Sequence, residues 1–237
     1  MIYYDLGKDI TAFTTDRSVG RDSALLLSAL PVRATELVYP HQTHTDRIAV
    51  IDERMLAMPA EERRANLEGI DAVLSNQRGV AIGISTADCI PVVVYDPEHH
   101  VAAAIHAGWK GTVKRIVEKA IAMMMQTYST DPCQCTAAIG PGISQDSFEV
   151  GQEVVEQFIN AGFPMERYTI QKRKPHIDLK AINLQQLKDA GVCEENVIVS
   201  LVDTFTDVHF FSARREQKPQ SDGTVKKCGR ILSGFVL

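Results

Sequence analysis

Apolar positions along this chain fall into short runs bounded by polar turns. The densest lies in GVAIGISTADCIPVVVYDPEHHVAAAIHAGWKG, residues 79–111. Its two apolar runs are β-rich and joined by a turn, which predicts an antiparallel hairpin. A turn centred on Pro97 and Glu98 pairs residues whose numbers sum to 195, and that sets Cys89 opposite His106. Pro91 cannot donate to a ladder, so Cys89 belongs on either the strand or an irregular lead-in to it.

Shorter strands are predicted at 1–4 and 10–14, on both sides of HQTH in ELVYPHQTHTDRIAVID, and in GIDAVLS, TAAIGPGI and HIDLK. NVIVSLVDTF reads as a buried strand. HFFSARRE and GRILSGFVL read as two closing strands around a polar loop rich in Lys, Gln, Ser and Gly. The helical period is clearest over 111–127, where Val113, Ile116, Val117, Ala120, Ile121 and Met124 form one face. Further helices are expected at 21–29, 150–161 and 179–190, the last stopped by Gly191. The charged run DERMLAMPAEERRANLEG reads as a helix or a mobile insertion with a solvated face. Strands and helices alternate irregularly, with hairpins among them and no repeat or linker. That order predicts one α+β domain over 1–237, a mixed sandwich rather than a doubly wound sheet.

Composition narrows the function more than the fold. The 237 residues are 45% hydrophobic and 23% charged, as in ordinary globular proteins. A net charge of −5 argues against a nucleic-acid or anionic-membrane partner. No run approaches the roughly 20 apolar residues of a membrane span. MIYYDLGKDI has neither the basic nor the apolar region of a signal peptide. Five cysteines, few and odd in number, point to reduced thiols and a cytoplasmic setting.

Several residues then stand out for their chemistry. A thiolate and an imidazole on facing positions suit a shared metal ion, although a buried cysteine merely facing a core histidine gives the same pattern. His41 and His44 are three apart, a workable spacing for a loop ligand, and only one of them is needed. Asp71 is either an active-site carboxylate or a plain residue at the start of its strand. Arg17, in FTTDRSVG, is either an anion seat or a solvated turn residue. Trp109 and Lys110 sit at a strand-to-helix turn beside the positive end of the helix, a reasonable anion site. Cys133 and Cys135 are one residue apart, too close for a zinc knuckle, and are expected to be structural.

In order, HQTH, ADCIP, IHAGW, IGPGI and FFSARR resemble the multicopper polyphenol oxidoreductase or laccase-domain family, whose members are described as zinc-dependent purine nucleoside phosphorylases. The resemblance covers nearly the whole chain. Its most specific part is DAVLS…STADCIPVVVYD…VAAAIHAGWKGT, continued by AAIGPGIS and FEVG. It implies a mixed β-sandwich flanked by helices. It also implies zinc on His44, Cys89 and His106, with one tetrahedral position left open as in catalytic sites. The implied activity is cleavage of adenosine, inosine, guanosine and methylthioadenosine by phosphate, together with adenosine deamination. Arg17 and Arg214 are then the candidates for holding phosphate, with Gln42, Lys110 and Ser212 as further substrate-binding residues. Asp88 and Asp71 are the candidates for proton transfer. The chain departs from the family pattern at Arg17-Ser-Val-Gly, at Asp203 before Thr204, and at Ala213 within FFSAR, where an aromatic is usual.

Three other readings keep much of this picture. One is a copper-dependent phenol oxidase, since one thiolate and two imidazoles also hold copper. Another is an editing factor for cell-wall precursors. The third is a zinc-stabilised binding module with no reaction of its own. A monomer or a homodimer is expected, with a small molecule as partner.

Overall fold

The computed structural model describes residues 1–217 and 227–237. The polar loop expected between the last two strands falls largely outside these residues. In chain order, the first elements are β1 (Ile2–Tyr4), β2 (Thr11–Thr14), α1 (Ser23–Ala29), β3 (Leu37–Val38), β4 (Ile48–Val50), α2 (Glu53–Ala57) and α3 (Ala60–Asn66). There follow β5 (Ala72–Ser75), β6 (Ala81–Thr86), β7 (Ile90–Asp96), β8 (Val101–Ala107), α4 (Trp109–Val113), α5 (Ile116–Tyr128) and β9 (Thr136–Ile139). The chain closes with α6 (Gln152–Asn160), β10 (Thr169–Gln171), β11 (Pro175–Ile177), α7 (Leu179–Asp189), β12 (Val197–Val199), α8 (Ala213–Glu216) and β13 (Ile231–Val236).

Two mixed sheets form the sandwich. One has the order β1-β2-β13-β6-β3 and the other β12-β9-β7-β8-β5-β4, while β10 and β11 pair apart from both. Between the sheets, Tyr4, Ile82, Ile84 and Phe235 meet Val93, Tyr95, Ala102 and Ala104. The opposite face of the six-stranded sheet, with Val92, Val94, Ala103 and Ile105, packs on α5, α6 and α7. Helix α1, through Leu26, and the Leu30 that follows it cover the other sheet against Phe13 and Leu232. Strands β7 and β8 are therefore covered on both faces, which explains their unbroken apolar sequence. The single α+β sandwich flanked by helices matches the expectation from sequence.

The hairpin register differs from the expected one. His106 faces Pro91, and Ile90 faces Ala107, so paired numbers sum to 197. The connection is a four-residue loop centred between Glu98 and His99. The Asp96 carboxylate fixes it by accepting from the backbone N–H groups of both residues at 2.9 and 3.1 Å. Cys89 consequently lies just before β7, on the lead-in that Pro91 allows.

Other expectations also change. The long helix breaks into α4 and α5 at Arg115, whose φ is 59°. That side chain bonds Glu118 and lies 4.4 Å over the Phe163 ring. NVIVSLVDTF is not a buried strand: Val197–Val199 pairs at a sheet edge, Asp203 makes one isolated bridge to Gly142, and Leu201 is exposed. HFFSARRE is not a strand either. The Ser212 hydroxyl accepts from the Arg215 N–H and starts the single turn α8. The charged run folds as α2 and α3. Cys133 touches Cys193, sulfur to sulfur at 3.2 Å, and Cys135 is buried. Among the described residues, no helix is long and apolar enough to cross a membrane.

At their paired positions Gly83 and Gly234, β6 and β13 run unusually close. A Cβ on Gly234 would stand 2.1 Å from the Ile82 carbonyl oxygen, so the strands would have to separate. Gly234→Ala should therefore destabilise the protein by about 3 kcal/mol, the upper end for overpacking. Denaturant unfolding followed by circular dichroism measures this, and an unchanged midpoint would mean that the sheet has room to relax.

Candidate metal centre

One end of the sandwich gathers the chemistry. Strands β6 and β8 finish there, while β4, β5, β7 and β13 begin there. Side chains alternate across a strand, so His106 continues the inward face of β8 begun by Ala102 and Ala104. Thr86 likewise continues the inward face of β6 after Ile82 and Ile84. Cys89 arrives from the lead-in to β7 and His44 from the loop before β4.

The ligand atoms of His44, Cys89 and His106 lie within 4.8 Å of one another. Cys89 Sγ is 3.8 Å from His44 Nε2, and the two imidazole rings meet edge to face at 5.0 Å. Tetrahedral zinc binds nitrogen at about 2.0–2.1 Å and sulfur at about 2.3 Å, so neighbouring donors should sit somewhat under 4 Å apart. The trio therefore fits a single metal ion, with His44 exposed, Cys89 partly buried and His106 buried.

Asp71 fixes this arrangement. It is wholly buried, and one of its oxygens accepts from His106 Nδ1 at 2.6 Å. That bond sets the tautomer and leaves Nε2 of His106 to face the other two ligands. The same oxygen accepts from the His44 backbone N–H at 3.0 Å. The second oxygen accepts from the N–H groups of Thr43 and Thr45 and from the Thr45 hydroxyl. Burial opposes charge on this carboxyl, but His106 and Thr45 outweigh it and hold the pKa below the ordinary range. The positive φ of His44, 63°, is one such a loop residue adopts when its neighbours are pinned in this way.

Cys89 and His106 shift each other in opposite senses. Burial raises the thiol pKa, yet His106 and the hydrogen bonds from both histidines bring it down to about 6. For His106, burial lowers the pKa, but Cys89 and Asp71 push it up to about 9. The thiolate, the form that binds metal, is thus favoured at neutral pH. Gly108 keeps the space clear, since a Cβ there would stand 2.9 Å from Cys89 Sγ and 3.1 Å from a His44 ring carbon.

The trio opens into a pocket of about 450 Å³, also lined by Gln42, Thr86, Asp88, Phe148, Arg214 and Arg230. Asp88, with φ 82°, accepts from the Thr204 and Ser212 hydroxyls and from the Arg214 N–H. Gln42 is anchored on Ser85 through both ends of its amide. Arg214 donates to the Glu149 carbonyl and lies 5.7 Å from the Phe148 ring centre. The Thr86 hydroxyl is buried and without a hydrogen-bond partner among the described residues.

Other candidates lie elsewhere. Arg17 donates to the Val208 and Phe210 carbonyls, pairs with Glu216 and stacks on Phe211, and it lines neither this pocket nor the cleft beside it. Lys110 is exposed above Trp109. Ser212 is buried between Asp88 and Arg215. His41 pairs with Glu68 outside the trio. Thr86, Gly108 and Arg230 carry no motif that marks them, beyond the ADC, HAGW and GRIL runs that contain or adjoin them.

A family described as multi-copper polyphenol oxidoreductase laccase matches residues 9–237. The chain belongs to this family. A purine nucleoside phosphorylase of Bacteroides thetaiotaomicron is 40% identical over 225 residues, spanning 92% of this chain and 80% of its own. An adenosine deaminase, RL5, from an unknown prokaryotic organism is 43% identical over 209 residues, with coverage of 83% and 79%. The crystal structure of the hypothetical protein YfiH of Bacillus licheniformis superposes with a TM-score of 0.78 at 25% identity, covering 96% of this chain and 92% of its own. The chain is thus an enzyme-family member with a metal-competent cluster, in a family linked to nucleoside or redox chemistry.

Asp71→Asn keeps the shape but turns one acceptor into a donor facing N–H groups. Metal affinity should fall about 10–100-fold while the fold persists. Competition titration against a chromogenic chelator measures it, and wild-type affinity would show that His106 does not need this partner.

Proposed function

We propose that this protein is a zinc-dependent purine nucleoside phosphorylase acting on adenosine, inosine, guanosine and methylthioadenosine, with adenosine deamination as an accompanying activity. The observation that carries the reading is one His/Cys/His cluster opening into a pocket that also presents two arginines and an unpartnered hydroxyl. Its volume lies within the roughly 300–1,000 Å³ of small-molecule sites. The phosphorylase relative named above supports the reaction class, and the deaminase relative supports the second activity.

In phosphorolysis a phosphate oxygen bonds to C1′ of the ribose as the bond to the purine nitrogen breaks, its electron pair leaving with the base. Arg214 and Arg230 hold the phosphate and offset its charge, in place of the more remote Arg17. The Thr86 hydroxyl gains its missing partner from the ligand. Phe148 offers an aromatic wall to the base, and Asp88 is the carboxylate at the pocket rather than behind it. Asp71 acts by positioning His44 and His106. Bound zinc supplies a Lewis acid at this wall.

A second reading, phenol oxidation at copper, has two observations in its favour: the description of the matching family and the one-thiolate, two-imidazole donor set. Against several coppers, the other five histidines are scattered. His41, His99 and His209 pair with carboxylates, His100 with Tyr95 and His176 with the Gln145 carbonyl.

Incubating zinc-loaded protein with the four nucleosides, with and without phosphate, tests the proposal. Free base and the sugar 1-phosphate should form only with phosphate: ribose-1-phosphate from adenosine, inosine and guanosine, and its 5-methylthio counterpart from methylthioadenosine. Arg214→Ala should raise the KM for phosphate about tenfold or more, as expected for one lost charged hydrogen bond. Inosine from adenosine regardless of phosphate would make the protein a deaminase alone, and aerobic phenol oxidation by the copper-loaded form would favour the second reading.

A further inference from the structure

The metal pocket has a neighbour that the proposed reaction does not use. Gln42, Ser85, Gln217 and Arg230 line both the pocket and an adjoining cleft of about 900 Å³, twice its size. Helix α3 forms one side of the cleft, the segment leading into α1 another, and the start of β13 the junction with the pocket.

The charge of the cleft runs against that of the chain. The protein carries a net charge of −5, yet Arg21, Arg63, Arg64, Lys227 and Arg230 all face this one concavity. Among the described residues, the single carboxylate in its lining is Glu68, which is held by His41 at 2.8 Å. Arg63 is braced by Glu36 at 2.6 Å. Arg21, Arg64 and Arg230 are in no ion pair among the described residues. A concave wall of arginines focuses field on an anion, and the guanidinium fork matches phosphoryl oxygens.

We propose that the cleft binds a phosphoryl group carried by the same ligand whose nucleoside part fills the metal pocket. The ligand class is then a purine nucleoside 5′-phosphate or 5′-diphosphate, an assignment that rests on the nucleoside reading of that pocket. The two pockets share Gln42, Ser85, Gln217 and Arg230, so a ligand seated beside His44 and Cys89 would reach the arginines across Gln42 and Ser85. Free phosphate needs far less room, and Arg214 already offers it a cation inside the pocket. Arg230, at the junction, faces both compartments.

Isothermal titration of zinc-loaded protein with adenosine, ADP and pyrophosphate tests this, alongside the Arg21→Ala/Arg64→Ala double variant. Both arginines line the cleft and not the metal pocket. ADP should bind at least about tenfold more tightly than adenosine. The double variant should lose most of that advantage while its adenosine affinity stays unchanged. ADP binding no tighter than adenosine overturns the proposal. So does an advantage that survives the double variant, because the phosphates would then be engaging the metal. Pyrophosphate binding as tightly as ADP would assign the cleft to a free anion and overturn the attached form. ADP binding that is sensitive to the variant, with no measurable adenosine binding, supports the cleft and removes the nucleoside phosphorylase reading.

Discussion

The candidate metal centre depends on one buried carboxylate. Asp71 receives five hydrogen bonds, from three successive backbone N–H groups, one hydroxyl and one imidazole. A carboxylate in that position is costly to bury unless its oxygens are satisfied, and here they are. In return it binds the loop carrying His44 to the strand carrying His106, although the two histidines are 62 residues apart (106 − 44). The backbone reinforces the link, because the His106 N–H donates to the Asp71 carbonyl at 2.8 Å.

The rest of the fold supplies the platform. Sheet pairing brings six strand ends to one edge of the sandwich, and the core between the sheets keeps the inward positions in line with it. Asp88 plays a part on the far wall comparable to that of Asp71. By accepting from Thr204, Ser212 and the Arg214 N–H, it joins the lead-in of β7 to the start of α8. That turn carries Arg214 to the pocket. Arg17 clamps the same region from outside through the Val208 and Phe210 carbonyls. Asp71, Asp88 and Arg17, candidates for acting on substrate through the family resemblance, thus have well-defined structural partners.

What was legible in the residues themselves followed from periodicity and spacing. The apolar runs of β7 and β8 marked a hairpin that brings Cys89 near His106, in a register whose paired numbers sum to 195 instead of 197, and left His41 and His44 as alternatives. The choice of His44 as the third member came from the resemblance to the family. The register was not legible, because the loop's length depends on Asp96 capping Glu98 and His99, a local hydrogen bond with no hydrophobic signature. The break at Arg115 was hidden because apolar spacing continues through it. HFFSARRE has strand-like composition, yet the long-range bonds from Asp88 turn it into a helical start. Thr86, Gly108 and Arg230 reach the pocket only through pairing of distant strands, so local pattern says little about them.

The central claim is that one metal ion is held by one sulfur and two imidazole nitrogens, with a position left for ligand. X-ray absorption spectroscopy on zinc-loaded protein measures this directly. The account predicts one sulfur at about 2.3 Å, two imidazole nitrogens at about 2.0–2.1 Å and one further light atom. A shell with no sulfur, with two sulfurs, or with four protein ligands would contradict it.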